Sequence, residues 1–360
     1  MNIYQKTHFG SVRKLSPQQQ CPLATEVLVV IPTLNEAGNI EACIRSLVGS
    51  DGFMRDVRIV VADGGSTDGT QAIVHALAQK VPQLRMIKNH ARLQSSGINI
   101  AVASEAEAEF SYMVRCDAHS IYPEGYVRKV AEALSTNPEA ASVASVMDAA
   151  GDNPFQRACA WVVDTPLGSG GSAHRGGNWS GWVDHGHHAG FRLDWFNKIN
   201  GYDPSFSHNE DAEYDHRLGL AGGRVWLDAS IRLQYEVRPT PRSLLKQYWN
   251  YGRGRARTVL KHRMRPRLRQ LVPVLNLLAV CVSMLVATVW PVALLLPLHY
   301  LLTLLTVSGV CAHSLRSRDG LQAGLALAIM HNAWALGFLW QCAQQQLARL
   351  HLGRIAGPQS

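Results

Sequence analysis

One uncharged stretch restricts the possible folds of this chain more than any other feature. Residues 270–315 contain no Asp, Glu, Lys or Arg. A helix needs only about 20 residues to cross the hydrocarbon layer of a bilayer, so this stretch fits two spans joined by a turn. Trp290 and Pro291 stand where that turn is expected. The sequence therefore predicts a membrane protein with an apolar helical hairpin at 270–315.

A second uncharged stretch covers residues 321–341. It is less apolar than the hairpin because it contains His331, Asn332 and Trp334. Residues 316–345 are therefore predicted to form a third apolar helix, which either crosses the bilayer or lies at its surface. Residues 346–360 are expected to be a tail.

The positive charge of the chain, +8 in total, is concentrated just before the hairpin. Residues 253–269 contain eight Lys or Arg and no acid. Such a run is also typical of nucleic-acid binding, but beside a membrane segment it predicts a cytoplasmic position facing anionic lipid headgroups. Arg316 and Arg318 follow the hairpin, so both of its ends are predicted to be cytoplasmic. Membrane lipid is an expected partner and nucleic acid is not.

The N-terminal region and the cysteines favour the same compartment. Residues 1–20 are polar and show no export signal, and residues 1–24 are predicted to be disordered. The seven cysteines are scattered and form no CxxC pair, which favours reduced thiols over a disulfide framework. The sequence thus predicts a multi-pass protein of the cytoplasmic (inner) membrane with its catalytic part in the cytoplasm.

Between residues 25 and 240, short apolar β-branched runs alternate with helical patterns. Strands are predicted at 26–32, 57–62, 84–88 and 112–116, and helices at 39–48, 70–80 and 95–104. This alternation predicts an α/β domain with a mostly parallel central sheet. In such sheets ligands bind beyond the carboxyl ends of the strands, so polar residues that follow a strand are site candidates.

Three acidic motifs stand directly after a predicted strand or at the start of a predicted helix. Asp63 starts a Gly-rich turn that either binds a nucleotide or only caps the next helix. Asp117 and His119 lie two residues apart, so in an extended segment they point to one side and suit a divalent cation, Mn²⁺ or Mg²⁺. The alternative is an Asp117 that hydrogen-bonds its own loop. Glu210 and Asp211 open a helix and either satisfy its dipole or supply a general base.

Three further segments have two interpretations each. Residues 168–177 contain five glycines and predict a loop too flexible to pack, which either closes over a substrate with Arg175 at a phosphate or is a solvated linker. The histidines of 184–188 are interpreted as the floor of a site rather than as zinc ligands, because no second Cys/His pair accompanies them. Residues 241–269 predict either an interfacial helix with an aromatic belt, Tyr248, Trp249 and Tyr251, or a phosphate-binding segment.

The order of these motifs resembles that of family-2 glycosyltransferases. The motifs stand at 31–36, 63–68, 117–119 and 209–211. More narrowly, Cys116-Asp-Ala-His119 with the segments 186–188 and 206–211 is similar to ExoA-type succinoglycan glucosyltransferases. The resemblance implies a GT-A fold over residues 25–240, a nucleotide-diphosphate sugar donor, a divalent cation and inversion at the anomeric carbon. It also implies glucose, from UDP-glucose, and a polyprenyl-diphosphate-linked saccharide acceptor in exopolysaccharide assembly.

The resemblance implies a role for each matching residue. Asp211 is the expected general base, and Glu210 supports it. The metal is expected on Asp117 and His119. The donor nucleotide is expected at Pro32, Asn35, Glu36, Asp63, Arg92 and Asp117. The diphosphate and acceptor region is expected at Arg175, His187, His188, Gln247 and Arg253.

Two departures from the family pattern affect this expectation. The usual D-x-D is D-x-H in this chain, which leaves the identity of the metal open. The Gln-x-x-Arg-Trp motif of processive synthases is absent, and residues 247–253 stand in its place. Two or three spans also leave little material for a polymer channel, so we expect transfer of a single sugar. The alternatives are a processive synthase, a nucleotidyltransferase and a non-catalytic membrane scaffold. The sequence shows no Lys/Arg-rich triphosphate loop at the first turn, which disfavours the nucleotidyltransferase.

Overall fold

A twisted sheet forms the centre of the N-terminal two thirds of the chain. In the computed structural model, residues 21–49 and 51–355 are described, so the prediction of disorder for residues 1–24 lies almost entirely outside them. Within that part of the chain the sheet has eight strands, in the order β3-β2-β1-β4-β7-β5-β8-β6. The strands are β1 (Val27–Thr33), β2 (Arg58–Asp63), β3 (Leu84–Lys88), β4 (Tyr112–Arg115), β5 (Ala140–Ala150), β6 (Gly181–Val183), β7 (His187–Arg192) and β8 (Arg224–Glu236).

Only β6 and β7 run antiparallel to their neighbours in this sheet. The predicted mostly parallel sheet is therefore confirmed, and the predicted strands and helices agree with the structure to within two residues. The helices of this domain are α1 (Ile40–Val48), α2 (Thr70–Ala78), α3 (Gln94–Glu105), α4 (Tyr126–Thr136), α5 (Pro154–Val163), α6 (Pro166–Ser169), α7 (Leu193–Lys198) and α8 (Glu210–Leu220).

The sheet is buried on both faces. Successive side chains of a strand point to opposite faces, so β1 contributes to two cores. Val29 packs on one face in a cluster with Ile44 of α1 and Val130 of α4. Val30 packs on the other face in a cluster with Ile98 of α3. These two cores hold the strand ends in fixed positions, which is what a site at the carboxyl edge requires.

Four helices follow the sheet. They are α9 (Pro241–Lys261), α10 (Leu268–Val286), α11 (Leu295–Leu315) and α12 (Ala323–Ile355). Three helical regions, 268–286, 291–315 and 318–348, are long and apolar enough to cross a membrane. The helical hairpin predicted at 270–315 is thus α10 and α11, which leave many leucines exposed. The helix α12 continues to Ile355, so residues 346–355 of the predicted tail are helical.

The helix α12 packs closely along α9, and glycines on both helices permit the approach. A Cβ on Gly252 would overlap the carbonyl oxygen of Trp334, and a Cβ on Gly337 would overlap that of Trp249. The opposite side of α9 is equally close to the catalytic domain, since a Cβ on Gly254 would lie 2.7 Å from the carbonyl oxygen of His208. The helix α9 therefore joins the apolar helices to the loop that precedes α8.

Candidate active site

One cleft, with a volume of about 1820 Å³, runs from the carboxyl ends of β1 and β4 to the helices α9, α10 and α12. Its two ends differ in the side chains that line them. We call one the carboxylate end, lined by Glu36, Asp117, His119, Glu210 and Asp211. We call the other the arginine end, lined by Arg175, Arg255, Arg269, Val272, Pro273, Met330 and Trp334.

At the carboxylate end a buried arginine connects two carboxylates. Arg115, the last residue of β4, is 5% exposed and donates from Nη1 to Asp211 Oδ1 at 2.7 Å. Its Nε lies 3.5 Å from Asp117 Oδ1. The hydroxyl of Tyr202 also donates to Asp211 Oδ1, at 2.7 Å. Among the described residues none donates to Asp211 Oδ2, so this oxygen is free to accept a proton from a ligand.

The two adjacent acids that open α8 have different pKa values. Burial, together with repulsion by Asp211, raises the pKa of Glu210 to about 7. Burial also opposes ionisation of Asp211, but the Arg115 guanidinium outweighs it and holds the pKa of that carboxyl below its usual range. Asp211 is therefore ionised at neutral pH, and ionisation of Glu210 beside it strengthens its affinity for a proton.

Asp117 and His119 lie close to Glu36 and His187. Asp117 Oδ2 is 3.4 Å from His187 Nε2, and His119 Nδ1 is 3.5 Å from Glu36 Oε1. Burial works against ionisation of Asp117, but Arg115 and His187 outweigh it and hold its pKa below the usual range. The hydrogen bond with Glu36 raises the pKa of His119 despite partial burial.

These residues fit a divalent cation that is also held by a ligand. In the described part of the chain no group of three or more His, Cys, Asp or Glu is arranged to hold a metal. Asp117 Oδ1 is nevertheless buried and accepts no hydrogen bond, and His119 is 59% exposed at the same edge. The protein thus offers two ligand side chains, and the other positions are left to phosphate oxygens and water.

The other predicted nucleotide residues lie at the ends of β1, β2 and β3, beside the cleft rather than in its lining. Asp63 accepts hydrogen bonds from the backbone of Gly65 at 2.9 Å and from the Gln71 side chain at 2.7 Å, so its carboxylate organises the turn. Asn35 has a φ of 56° and accepts from the Thr67 amide, which ties the turns after β1 and β2 together. Pro32 pairs with Ala62 inside the sheet, and Arg92 adopts a φ of 59° in the turn after β3.

The histidines of 184–188 divide between the cleft and the interior. His187 lines the cleft, with Nδ1 3.3 Å from the Ser145 hydroxyl. His188 is fully buried, and its Nε2 lies 2.7 Å from Asp215 Oδ1. Burial disfavours the imidazolium of His188, but Asp215 outweighs this and raises its pKa. Asp215 also holds His185, with 2.6 Å between Oδ2 and Nδ1. His188 therefore packs beneath the cleft and does not line it.

The glycine-rich segment 168–177 is packed, so the prediction of a loop too flexible to pack is wrong. Its backbone adds to the edge of β5, where Met147 donates to the carbonyl of His174 at 2.8 Å. A Cβ on Gly168 would overlap the Val162 carbonyl oxygen, and a Cβ on Gly177 would overlap that of Ala173. Gly168 and Gly177 thus provide close approach of backbone to backbone, whereas Gly170 and Gly171 are exposed and a Cβ on either would meet no atom within 4 Å, and composition alone cannot distinguish these two uses of glycine.

The helix α9 lines the arginine end with one face. Gln247 donates to the hydroxyls of Tyr235, at 2.8 Å, and Tyr251, at 3.0 Å. The Arg175 guanidinium lies 4.5 Å from the centre of the Tyr235 ring, and its Nη1 is buried without a hydrogen-bond partner in the described residues. Tyr248 and Tyr251 line the cleft, so an aromatic belt at the lipid headgroups is wrong for these two residues.

Several residues of the cleft were not predicted from the sequence. Arg253 is outside the cleft lining, whereas Arg255 and Arg269 line it. Arg255 follows Tyr251 by four residues and Tyr251 follows Gln247 by four, so helical spacing was a usable signal. Arg115 precedes Asp117 by two residues at a strand end, which was a second signal.

The comparisons with known proteins agree with this geometry. The profile of Glycosyl transferase family 2 matches residues 28–199. The succinoglycan biosynthesis protein ExoA of Rhizobium meliloti (strain 1021) is 42% identical over 316 residues, covering 88% of this chain and 94% of that protein. A Methanococcus voltae protein, dolichyl N-acetyl-alpha-D-glucosaminyl phosphate 3-beta-D-2,3-diacetamido-2,3-dideoxy-beta-D-glucuronosyltransferase, is 22% identical over 244 residues, covering 65% of this chain and 74% of that protein.

A solved structure shares the fold. The mannosyltransferase PcManGT from Pyrobaculum calidifontis, in complex with GDP-Man and Mn²⁺, superposes with a TM-score of 0.56 at 19% identity, over 88% of this chain and 87% of that one. This likeness shows the GT-A fold, and the identity to ExoA over most of both chains shows the family. The chain belongs to glycosyl transferase family 2.

Proposed function

We propose that this glycosyltransferase moves one hexose, glucose from UDP-glucose, onto a polyprenyl-diphosphate-linked saccharide at the cytoplasmic face of the inner membrane. The observation that carries the proposal is the single cleft, which joins the carboxylates at the strand ends to helices that are apolar enough to enter a bilayer. A nucleotide-sugar at one end and a lipid-linked acceptor at the other would meet within it.

The donor binds at the carboxylate end. Glu36, which follows β1 and lines the cleft, accepts hydrogen bonds from the nucleoside, and Asp63, at the end of β2, holds the adjoining turn in place. Asp117 and His119 would hold a divalent cation, Mn²⁺ or Mg²⁺. When bound, such a cation neutralises the negative charge that develops on the departing diphosphate.

Asp211 removes the proton from the acceptor hydroxyl through its free Oδ2. Arg115 and Tyr202 fix the other oxygen, so the carboxylate is held in one orientation before the acceptor arrives. As the proton moves to Asp211, the acceptor oxygen forms a bond to the anomeric carbon and the bond from that carbon to the diphosphate oxygen breaks. Attack from the face opposite the diphosphate inverts the anomeric configuration.

The names of the relatives support the choice of pathway and acceptor. One relative is a succinoglycan biosynthesis protein, which supports a role in assembling exopolysaccharide. The name of the other describes transfer to a dolichyl-phosphate-linked sugar, which supports a lipid-linked acceptor. The three helices of the described residues that are apolar enough to cross a membrane give a processive synthase little material for a channel, so we expect transfer to stop after one sugar.

The test is transfer by membrane fractions that contain the full-length protein. A panel of nucleotide-sugars is supplied with lipid-linked saccharides extracted from the producing cells, with and without Mn²⁺ or Mg²⁺. Mass spectrometry should show one hexose added to the lipid-linked product, and NMR should show an inverted anomeric centre. A ladder of products would instead establish a processive synthase. The absence of both transfer and nucleotide binding would establish a non-catalytic scaffold.

A further inference from the structure

Two arginines at the arginine end have no acidic partner. Arg255 of α9 lines the cleft and makes no hydrogen bond or ion pair with any described residue. Arg269, in the first turn of α10, donates only to the carbonyl of Gly170, at 3.1 Å. By contrast, Arg267 between them in sequence is neutralised by Asp184, at 3.0 Å. Neither Arg255 nor Arg269 therefore forms an ion pair in the described residues, and each feels a carboxylate only from a longer distance, Asp215 in the case of Arg255 and Asp184 in the case of Arg269.

This arrangement is unfavourable for the protein alone. Burial, with repulsion by Arg267 and Arg269, outweighs the attraction of Asp215 and lowers the pKa of Arg255 to about 10, so the group stays ionised at neutral pH but is held where a charge is disfavoured. On the same cleft wall Arg175 has a buried Nη1 without a hydrogen-bond partner in the described residues. A bound anion would remove the repulsion and supply the missing acceptors.

Apolar side chains line the arginine end together with Gln270 and His331. Val272 and Pro273 of α10, with Met330 and Trp334 of α12, line the same end of the cleft. The outer surface of α10 exposes Leu275, 54% exposed, and further apolar side chains that suit a bilayer. A ligand that satisfies both parts of this wall carries a strong anion joined directly to an apolar chain.

The donor does not have this chemistry. A nucleotide-sugar has no apolar chain, and its diphosphate belongs with Asp117 and His119 at the other end of the cleft. We propose that Arg255 and Arg269 bind the diphosphate of the polyprenyl carrier and that the apolar wall receives the first isoprene units. This inference rests on the proposed transfer to a lipid-linked acceptor, and it assigns the site where the carrier, rather than its sugar, is recognised.

The experiment measures binding of two probes to the full-length protein in nanodiscs of uncharged phosphatidylcholine. Farnesyl diphosphate represents the carrier and UDP represents the donor, with farnesol, inorganic diphosphate and phosphatidylglycerol as comparison ligands. The variants are Arg255→Gln, Arg269→Gln and Arg255→Lys. Arg265→Gln is the matched control, because Arg265 belongs to the same basic run but lies outside the cleft lining.

We expect Arg255→Gln to weaken farnesyl diphosphate binding 10-fold or more and Arg269→Gln several-fold. Arg255→Lys should recover part of the affinity, and Arg265→Gln should change it less than two-fold. UDP affinity should stay within two-fold in every variant, and farnesol and inorganic diphosphate should each bind more weakly than farnesyl diphosphate.

Three results would overturn the inference. Unchanged farnesyl diphosphate affinity in Arg255→Gln would remove the site. An equal loss of UDP affinity would assign the arginines to the donor. An equal loss in Arg265→Gln, or equal binding of phosphatidylglycerol, would reduce the effect to general attraction of anionic lipid. Arginine-dependent farnesyl diphosphate binding without any sugar transfer would refute the proposed function alone.

Discussion

The two ends of the cleft handle charge in opposite ways. At the carboxylate end the charged groups are paired within the protein, since Arg115 contacts both Asp117 and Asp211, and His119 contacts Glu36. At the arginine end Arg255 and Arg269 have no acidic partner in the described residues. The first end rests on strand termini between two cores, and the second rests on helices of which α10 and α12 are apolar enough to cross a membrane. The carboxylate end is therefore preorganised for chemistry, whereas the arginine end needs the charge of its ligand.

The strongest test of this comparison is Asp211→Asn. An amide keeps the hydrogen-bonding shape but cannot accept the proton, so we expect transfer to fall by about 10³-fold or more. UDP affinity should stay within about three-fold, because Asp211 contacts the acceptor side. Transfer rates at saturating donor and equilibrium UDP binding check both parts.

Asp194→Asn is the matched control for Asp211→Asn. Asp194 also lies in the first turn of a helix, α7, but outside the cleft, so it isolates the effect of the helix dipole. We expect it to leave transfer unchanged. If Asp211→Asn lost UDP binding and transfer equally, the general-base role would be wrong.

A second test disturbs the contact between α9 and α12, the two helices that support the arginine end. In Gly252→Ala the new methyl group would overlap the Trp334 carbonyl, a backbone atom that cannot move aside alone. We expect a loss of stability on the order of 1–3 kcal/mol and separation of α12 from α9. Thermal unfolding of the detergent-purified protein, followed by tryptophan fluorescence, measures it.

Gly309→Ala provides the comparison, because a Cβ at this position in α11 meets no atom within 4 Å. Alanine also has the higher helix propensity, so this variant should unfold at the same temperature or slightly higher. Equal melting temperatures for the two variants would show that the α9–α12 contact does not support the fold.

The sequence was sufficient for the first half of the fold. Its strands are continuous apolar runs in the sequence because they are buried on both faces. Burial of this kind can be recognised from the local sequence pattern alone. The apolar helices were equally visible, because residues 270–315 and 321–341 contain no charged residue. The packing of Gly252 on α12 was not predictable, because it depends on which two helices are in contact. The sequence around a glycine does not show which helix packs against it.

The site divides in the same way. Glu36, Asp117, His119 and Asp211 were predicted at strand and helix ends, and the structure brings them into one cleft. Their partners were not predicted, because Tyr202 reaches Asp211 through the tertiary fold. His187 and His188 are neighbours in sequence, yet the alternation of β7 sends one side chain to the cleft and the other to Asp215. The sequence thus predicted the positions of the carboxylates better than it predicted the side chains that contact them.

His119→Ala tests whether the exposed imidazole completes the carboxylate end. Loss of one of two protein ligands should raise the Mn²⁺ concentration for half-maximal transfer by about 10-fold. Metal titrations at saturating donor measure this shift. His90→Ala, a change at an exposed histidine outside the cleft lining, should leave the titration unchanged. Coincident curves for His119→Ala and wild type would exclude His119 as a ligand.

The smallest predicted effect concerns Glu210, the exception to charge pairing at the carboxylate end. Its pKa is about 7 in the folded protein and near 4.5 when unfolded. Below pH 4.5 both states are protonated and the residue has no effect on stability. As the pH rises towards 7, only the unfolded state loses its proton, so the wild type loses stability relative to a variant that cannot ionise.

Glu210→Gln should therefore differ less from the wild type at pH 5 than at pH 8. At pH 8 it should be more stable by on the order of 1–2 kcal/mol, a value reduced because the side chain is partly exposed. Thermal unfolding at both pH values measures the difference. Glu139→Gln, at an acid that is 69% exposed, should show the same effect at both. If the stability difference between Glu210→Gln and the wild type were the same at both pH values, the ionised Glu210 would be stabilised by its surroundings. Every charge at the carboxylate end would then be compensated within the protein, in full contrast to the arginine end.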